Sequence, residues 1–196
     1  MFYISLIEIE KDPTSLIPYD PDYWEEDGIS NIAPNICDHL QEINCARFIV
    51  QGFQDILWSS TPLEYWPVDV RTDLLTIIEE LPGVVQELRK HHDSSLFLCE
   101  QGIEKDIRIH IDDGIAELTC FDYSAHKVAS NGSTGVPDIS STMEKLPVAQ
   151  LIEMLENVVN EYIRLAIKYC ADIDNHPTFR KFVSDWKNGR CEGGKI

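Results

Sequence analysis

The stretch from Leu96 to Tyr123, LFLCEQGIEKDIRIHIDDGIAELTCFDY, constrains the fold more than any other part of the chain. Asp113-Gly114 lies between two runs of β-forming residues in this stretch. The Asp-Gly pair is typical of a two-residue type I′ hairpin turn, because both central residues of that turn need a positive φ. We therefore predict a three-stranded antiparallel meander whose last two strands meet at this turn.

The turn also sets the register of the predicted hairpin. One face then pairs apolar residues: Ile111 with Ala116, Ile109 with Leu118, and Ile107 with Cys120. The other face pairs His110 with Glu117 and Arg108 with Thr119. A slip of one residue would move every side chain to the wrong face, so the pattern and the turn chemistry favour the same register.

The charge of the chain is unusual, whereas its hydrophobic content of 43% and its charged content of 26% are ordinary for a soluble domain. Sixteen basic residues stand against thirty-four acidic ones, which gives a net charge of −18. Such a surface repels nucleic acid and anionic membranes and attracts cationic partners. We therefore expect no direct nucleic-acid binding and no membrane binding. A basic protein is the partner that this charge favours, and solubility alone is the competing explanation.

The cysteines and the N-terminal residues indicate the cellular compartment in which the protein is expected to act. Six cysteines, at positions 37, 45, 99, 120, 170 and 191, include no C-x-x-C pair. Scattered cysteines in apolar runs are typical of a reducing compartment. The first residues, MFYISLIEIEKD, lack the basic and long apolar regions of a signal peptide. No run approaches the eighteen apolar residues of a transmembrane helix, so we expect a cytoplasmic protein.

The order of the predicted elements favours the α+β class, with helices packed on one face of an antiparallel sheet. We predict a single domain over residues 1–196. Its parts are an N-terminal strand (1–10), an acidic-aromatic loop (11–34), a region of sheet and helices (46–123), a polar loop (124–142) and C-terminal helices (143–188). The sheet is expected to contain the N-terminal strand, a strand at 46–53 with a bulge at Gly52, and the meander at 95–122.

Helical spacing of apolar residues predicts the remaining elements. One helix is expected near residues 72–81, and Pro82 begins the next. Ser141 and Glu144 fit a capping box before a long helix at 147–171, and a further helix begins near Pro177. The long helix is expected to pack on the apolar face of the meander.

No catalytic, metal or cofactor motif emerges from the sequence. Adjacent residues of a helix point about 100° apart, so His91 and His92 would not converge on one ion. The spacing of Cys37, His39 and Cys45 matches no common zinc site. His110 opposite Glu117 forms a cross-strand polar pair, with no sign of the cleft that acid-base chemistry needs. Nucleophile and phosphate-loop signatures are absent as well. We therefore expect no catalytic residues, no metal and no cofactor, and a protein that is not an enzyme.

Two segments remain as candidates, one for contact with a partner protein and one for a structural role within the chain. The first combines aromatic residues, which are enriched at protein interfaces, with carboxylates that suit a partner rich in lysine and arginine. Its members, the predicted partner-binding residues, are Tyr19, Asp20, Asp22, Tyr23, Trp24, Glu25, Glu26 and Asp27. The competing explanation is that its aromatic residues hold a loop on the core. The second segment is WPVDVRTD at residues 66–73, where a structural role is favoured: Asp69 is predicted to cap the following helix, and Arg71 to pair with Asp69 or Asp73.

The stretches WPVDVRTDLL and EQGIE and the strand ending in LTC, all within residues 46–122, look like a loose family of uncharacterised small bacterial proteins. The chain as a whole also resembles the immunity proteins of bacterial polymorphic-toxin and contact-dependent growth inhibition systems. This resemblance implies a protein that binds a cognate toxin domain and covers its active site. Many such toxins are nucleases with basic clefts, so it also implies carboxylates in the place of a nucleic-acid backbone.

The leading hypothesis is therefore an acidic, non-enzymatic inhibitor of a toxin that acts in the cytosol. An adaptor or regulatory module for another basic protein is the second hypothesis, and an enzyme with an unrecognised site is the third. The gene neighbourhood would separate the first two, because an immunity gene should follow a large toxin gene. The sequence leaves the oligomeric state open.

Overall fold

The protein combines two antiparallel sheets with helices, so the predicted α+β class is confirmed. The computed structural model describes residues 1–10, 32–53, 66, 68–100, 103–122 and 143–189. In chain order, the described elements are β1 (Tyr3–Glu8), α1 (Ala33–Glu42), β2 (Ala46–Gln51), a π-helical turn (Val70–Leu74), α2 (Leu75–Ile78), α3 (Leu81–Arg89), β3 (Ser94–Glu100), β4 (Ile103–Asp112), β5 (Ile115–Asp122), β6 (Met143–Pro147), α4 (Val148–Tyr169), a 3₁₀ turn (Ile173–Asn175) and α5 (Pro177–Lys187).

The predicted hairpin register is confirmed. β4 pairs with β5 so that Ile109 faces Leu118 and His110 faces Glu117. Asp113 has φ +43° and Gly114 has φ +76°, as a type I′ turn requires. Local turn chemistry and the alternation of apolar residues therefore determine the centre of this sheet.

The prediction of one sheet was wrong in its extent, because the strands divide between two sheets. β1 and β2 form a two-stranded sheet, and β3, β4, β5 and β6 form a four-stranded one in that order. β2 cannot join the meander because β1 pairs along one of its edges, while on the other side the backbone N–H of Trp66 donates to the carbonyl of Val50 at 2.8 Å. The free edge of β5 is taken by β6, where a helix had been expected from residue 143. Glu144 therefore lies in a strand, and the predicted capping box was wrong.

The helical segment after Trp66 departs from the predicted helix at residues 72–81. The chain begins with the π-helical turn, continues as α2 and starts again as α3, with Pro82 in the first turn of α3 as predicted. Asp69 caps the π-helical turn, because its carboxylate accepts a hydrogen bond from the N–H of Thr72 at 2.7 Å. The predicted partner of Arg71 was wrong: its guanidinium pairs with Asp38 of α1 at 2.7 Å. α1 starts at Ala33, inside the range predicted as loop, so the end of that range at residue 34 was wrong.

The two C-terminal helices are confirmed. α4 buries all but one residue of the apolar stripe from which it was predicted: Leu151, Leu155, Val158, Tyr162, Leu165, Ala166 and Tyr169. The remaining residue of the predicted stripe, Met154, is half-buried. Its packing differs from the prediction, because α4 lies mainly against β1 and α3 and makes smaller contacts with β5 and β6. Helices α2 and α3 contact β3. The core is therefore shared between the two sheets.

The two sheets meet beside Gly52, where the chain leaves β2 and passes close to the start of β1. This residue follows β2 with φ +124°, and a Cβ atom placed on it would lie 2.7 Å from the Cα of Phe2. The next N–H, from Phe53, donates to the carboxylate of Glu144 on β6 at 2.6 Å. Gly52 is therefore needed for a close approach beyond the end of the strand, where the sequence had suggested a bulge within it.

Trp66 completes this contact between the sheets. Its indole N–H donates to the carbonyl of Gly52 at 3.1 Å, and its ring centre lies 6.1 Å from that of Phe53. The ammonium of Lys105 on β4 lies 4.3 Å from the centre of the indole ring. Lys105 is buried, so the indole also shields a cation. We refer to these residues together as the sheet junction: Phe2, Gly52, Phe53, Trp66, Lys105 and Glu144.

A polar cluster at the end of β1 holds this strand on α4. The carboxylate of Glu8 accepts hydrogen bonds from Arg164 at 2.6 Å and from the hydroxyl of Tyr169 at 2.5 Å, and it pairs with Lys168. The hydrogen bond from Lys168, followed by those from Tyr169 and Arg164, lowers the pKa of Glu8 from 4.5 to about 2. The folded state therefore prefers ionised Glu8 more strongly than the unfolded chain does.

We expect Glu8→Gln to reduce the acid sensitivity of the fold. The stability that ionised Glu8 contributes is fully present above pH 4.5 and is lost as the pH falls toward about 2, because its folded pKa is depressed. The wild type should lose more stability than the variant across this range, with about one extra proton bound on unfolding. Urea unfolding between about pH 2 and pH 6 measures the difference. Glu10→Gln, at an exposed neighbouring position, is the matched control. Parallel curves for Glu8→Gln and the wild type would contradict the role of Glu8.

Candidate interaction surfaces

The predicted contact residues of the acidic-aromatic segment lie outside the described residues. They are Tyr19, Asp20, Asp22, Tyr23, Trp24, Glu25, Glu26 and Asp27, and their assignment to a partner stays a prediction. The part of the chain that the structure describes offers two further surfaces, one mixed in character and one acidic.

The mixed surface is the outer face of the four-stranded sheet, which we name the open sheet face. The strands alternate, so their other side chains, such as Leu96, Ile107 and Leu118, enter the core. The open sheet face consists of exposed or half-buried residues: Asp93, Ser95, Phe97, Asp106, Arg108, His110, Asp112, Ile115, Glu117, Thr119, Phe121, Met143 and Lys145. Sheet pairing aligns these residues in rows that cross the strands.

Apolar side chains give this face contact area. Phe97 is 43% exposed and Met143 is 53% exposed. The guanidinium of Arg108 lies over the ring of Phe121, 4.4 Å from its centre, and Arg108 also pairs with Asp106 at 3.0 Å. Aromatic residues, methionine and arginine are the residue types enriched in protein interfaces. These four side chains are therefore the members of the open sheet face that suit a contact with another protein.

Six of the seven ionisable residues of this face pair with one another, and Asp112 is the seventh. His110 shares a hydrogen bond with Asp93 across 2.8 Å, and Lys145 pairs with Glu117. The other oxygen of Asp93 accepts from the N–H of Ile111 at 2.9 Å. The hydrogen bond and negative charge of Asp93 raise the pKa of His110, and the hydrogen bond of His110 in turn lowers the pKa of Asp93. His110 therefore uses Asp93 as its hydrogen-bonding partner, although Glu117 stands opposite it in the sheet as predicted.

Asp93, His110, Glu117 and Lys145 form a charged row across the sheet, and the sequence had not indicated the first and the last of them. Asp93 belongs to the connection between α3 and β3, and Lys145 belongs to the strand that had been predicted as helix. A signal was present for Lys145, since its positive charge suits a position beside Glu117.

His91 and His92, the adjacent histidines considered in the sequence analysis, follow α3. His92 pairs with Glu87 at 2.8 Å, and His91 takes a positive φ of 58°. The imidazole of His92 therefore serves a local contact with α3.

The acidic surface lies where α1 meets the π-helical turn and α2. We name it the acidic corner, and its surface members are Asp38, Glu42, Asp69, Glu79 and Glu80, with the buried Asp73 beside Asp69. The N–H of Asp69 donates to the carboxylate of Asp73 at 2.9 Å, so the two aspartates bracket the π-helical turn. Burial and the neighbouring charge of Glu79 raise the pKa of Glu80. The capping geometry therefore concentrates carboxylates at one corner, with Arg71 paired to Asp38.

The cysteines near this corner belong to the core. Cys37, Cys45 and Cys170 are buried free thiols. Burial raises the pKa of Cys37, and the negative charge of Asp38 adds to the shift; burial likewise raises the pKa of Cys170. His39 lies with its Nε2 atom 3.2 Å from the carbonyl of Tyr169. Within the described residues, no three His, Cys, Asp or Glu side chains are grouped so that they could hold a metal ion.

In the part of the chain that the structure describes, none of the helices has the length and apolar character needed to cross a membrane. Comparison of the chain with protein-family models, with curated proteins and with solved structures gave no significant match.

Proposed function

We propose that this protein is an acidic, non-enzymatic inhibitor that binds a cognate toxin domain of basic, nuclease type in the cytosol and covers its active site. The observation that carries the proposal is the excess of carboxylates, thirty-four acidic against sixteen basic residues. A basic nucleic-acid-binding cleft is the kind of protein surface most strongly attracted to such a molecule.

The ion pairs of the described residues support this proposal. Eight lysines and arginines are held by carboxylates of the same chain: Arg71, Arg89, Lys90, Arg108, Lys145, Arg164, Lys168 and Lys181. A lysine or arginine that is paired with a carboxylate contributes little to the electrostatic potential far from the protein. The surplus carboxylates therefore set that potential, and the acidic corner is one place where they collect.

The negative field has a kinetic consequence that suits an inhibitor. Charge complementarity raises association rate constants toward about 10⁸–10⁹ M⁻¹s⁻¹ at low salt. A cell that makes a toxin needs capture before the toxin reaches its target. A few aromatic anchors can then make an interface of roughly 1,600 Å² very tight, and the aromatic residues among 19–27 are our predicted anchors.

Co-expression tests the function. The proposal expects a large toxin gene beside this one, and the C-terminal domain that the toxin gene encodes is induced in a bacterial host with and without this protein. We expect growth arrest with the domain alone and restored growth when both are made. Continued arrest with both proteins folded and soluble would contradict the proposal.

Charge reversal tests the predicted contact segment separately. Asp22→Lys, Glu25→Lys and Glu26→Lys together should lower the association rate constant with the toxin domain at least about tenfold and flatten its salt dependence. The matched control makes the same change in net charge at three exposed positions outside both named surfaces, Glu10→Lys, Glu153→Lys and Asp174→Lys. Equal effects of the two triple variants would remove the segment as the contact site while leaving the inhibitor function in place.

A further inference from the structure

The charges of the open sheet face form a row with an alternating order. Across the sheet from β3 to β6, one row contains Asp93, His110, Glu117 and Lys145. Asp93 directly precedes β3, and each of the other three belongs to the next strand along. With His110 protonated, the row reads negative, positive, negative, positive.

This order is complementary to itself under a two-fold rotation. An axis that runs parallel to the strands between β4 and β5 turns a second copy face down and reverses the order of its strands. Asp93 then faces Lys145 of the second copy, and His110 faces Glu117 of the second copy. Every charge of the row meets an opposite charge, which is the condition that a symmetric dimer places on its contact surface.

The neighbouring rows bring no like charges together, since the rotation places Asp106 over Phe121 and Asp112 over Ile115 of the second copy. Arg108 stands opposite Thr119 in the sheet, so the rotation brings Arg108 over Thr119 of the second copy. The exposed ring of Phe97 and the exposed side chain of Met143 add apolar area toward the two edges of the face. Two sheets stacked in this way lie about 10 Å apart, a distance that side chains of this size fill.

The net charge of the molecule favours this face, because a second copy can approach a nearly neutral surface with little added repulsion. Two chains of net charge −18 repel each other over about 10 Å or more at ordinary salt. On the open sheet face, Arg108, His110 and Lys145 each sit beside a carboxylate, so the face is nearly neutral when His110 is protonated. Close approach here therefore adds little repulsion to that of the remaining surface.

We propose that the open sheet face is a homodimer interface, in which two copies pack face to face about a two-fold axis parallel to the strands. Four strands about 4.8 Å apart give a contact of roughly 20 Å by 20 Å, which is small beside a standard interface of about 1,600 Å² in total. The dimer should therefore dissociate in the micromolar range. Salt screens both the repulsion between the two acidic chains and the attraction between the paired charges of the row. A higher salt concentration should strengthen the dimer where the first effect is the larger.

Sedimentation velocity on the protein alone tests the proposal, so its outcome does not depend on the toxin domain. At about pH 6.5, where the raised pKa of His110 favours the imidazolium, we expect a shift from a 22.4 kDa monomer to a dimer as the concentration rises from about 1 to 200 µM. A monomer throughout this range would overturn the proposal.

A charge swap tests the geometry. Glu117→Lys with Lys145→Glu keeps the ion pair within each copy and the net charge, yet it places like charges opposite each other in the dimer. We expect dimerisation to weaken at least about tenfold. The control swap, Lys181→Asp with Asp185→Lys on α5, exchanges an ion pair away from this face and should leave the dimer unchanged.

Reversal of the whole row provides the decisive comparison. Adding Asp93→Lys and His110→Asp to the first swap gives the order positive, negative, positive, negative, which is again complementary to itself. Dimerisation should recover to within about threefold of the wild type. A first swap that dimerises like the wild type, or a control swap that weakens the dimer equally, would overturn the assigned interface. Circular dichroism verifies that each variant is folded.

Discussion

Replacement of Trp66 with alanine is expected to lower the free energy of unfolding by about 4 kcal/mol, the usual cost of removing a buried tryptophan. The side chain is buried in the sheet junction, where it contacts the ring of Phe53 and covers the ammonium of Lys105. Its loss would leave a cavity between the sheets and expose a cation that the indole now shields. The carbonyl of Gly52 would also lose its hydrogen bond from the indole.

Urea unfolding followed by far-ultraviolet circular dichroism measures this change, because the signal does not depend on the tryptophan itself. Trp66→Phe is the control: it keeps a ring between Phe53 and Lys105 but gives up the indole hydrogen bond. We expect that variant to lose about 1–2 kcal/mol. A loss below about 1 kcal/mol for Trp66→Ala would show that Trp66 does not join the sheets.

Gly52→Ala is expected to cost about 3 kcal/mol through two effects at one position. A methyl group would lie 2.7 Å from the Cα of Phe2, so the backbone of β1 would have to move. The φ of +124° is also a conformation that alanine rarely adopts. A shift of β1 would disturb the bond from Phe53 to Glu144, which lies next to this contact.

Gly83→Ala provides the matched control, because a methyl group at that position meets no heavy atom within 4 Å. Gly83 lies in the first turn of α3, where alanine is the better helix former, so we expect an unchanged or slightly higher stability, by about 0.5 kcal/mol. Urea midpoints of the two variants under one set of conditions give the comparison. Similar stabilities for Gly52→Ala and Gly83→Ala would contradict the close approach.

The elements that the sequence predicted well depend on neighbours in the chain. The hairpin of β4 and β5 follows from Asp113-Gly114 and from alternation within about eight residues on either side. α4 follows from a regular apolar stripe, and the cap at Asp69 follows from a side chain that bonds three residues onward. In each case the interaction lies within one element or one turn, so the local pattern carries the information.

The features that the sequence did not predict depend on distant partners. The pairing of β1 with β2 joins segments separated by the whole of residues 9–45, and no local pattern specifies that β2 prefers β1 to the meander. β6 has five residues, and its place beside β5 is set by strand pairing across residues 123–142. From the charged row, the sequence therefore predicted only the pair of His110 and Glu117. Asp93 and Lys145 lie in this row because of tertiary structure.

The position of β1 has a consequence for synthesis of the chain. β1 lies between β2 and α4, and Glu8 contacts Arg164, which is 156 residues away. A two-stranded sheet is marginal in water by itself, so β1, which is synthesised well before α4, has no stable place until α4 has emerged. At about 5–20 residues per second, synthesis of the 156 residues between Glu8 and Arg164 takes about 8–30 seconds. During this time the apolar side of β1, with Phe2, Ile4 and Leu6, is available to chaperones.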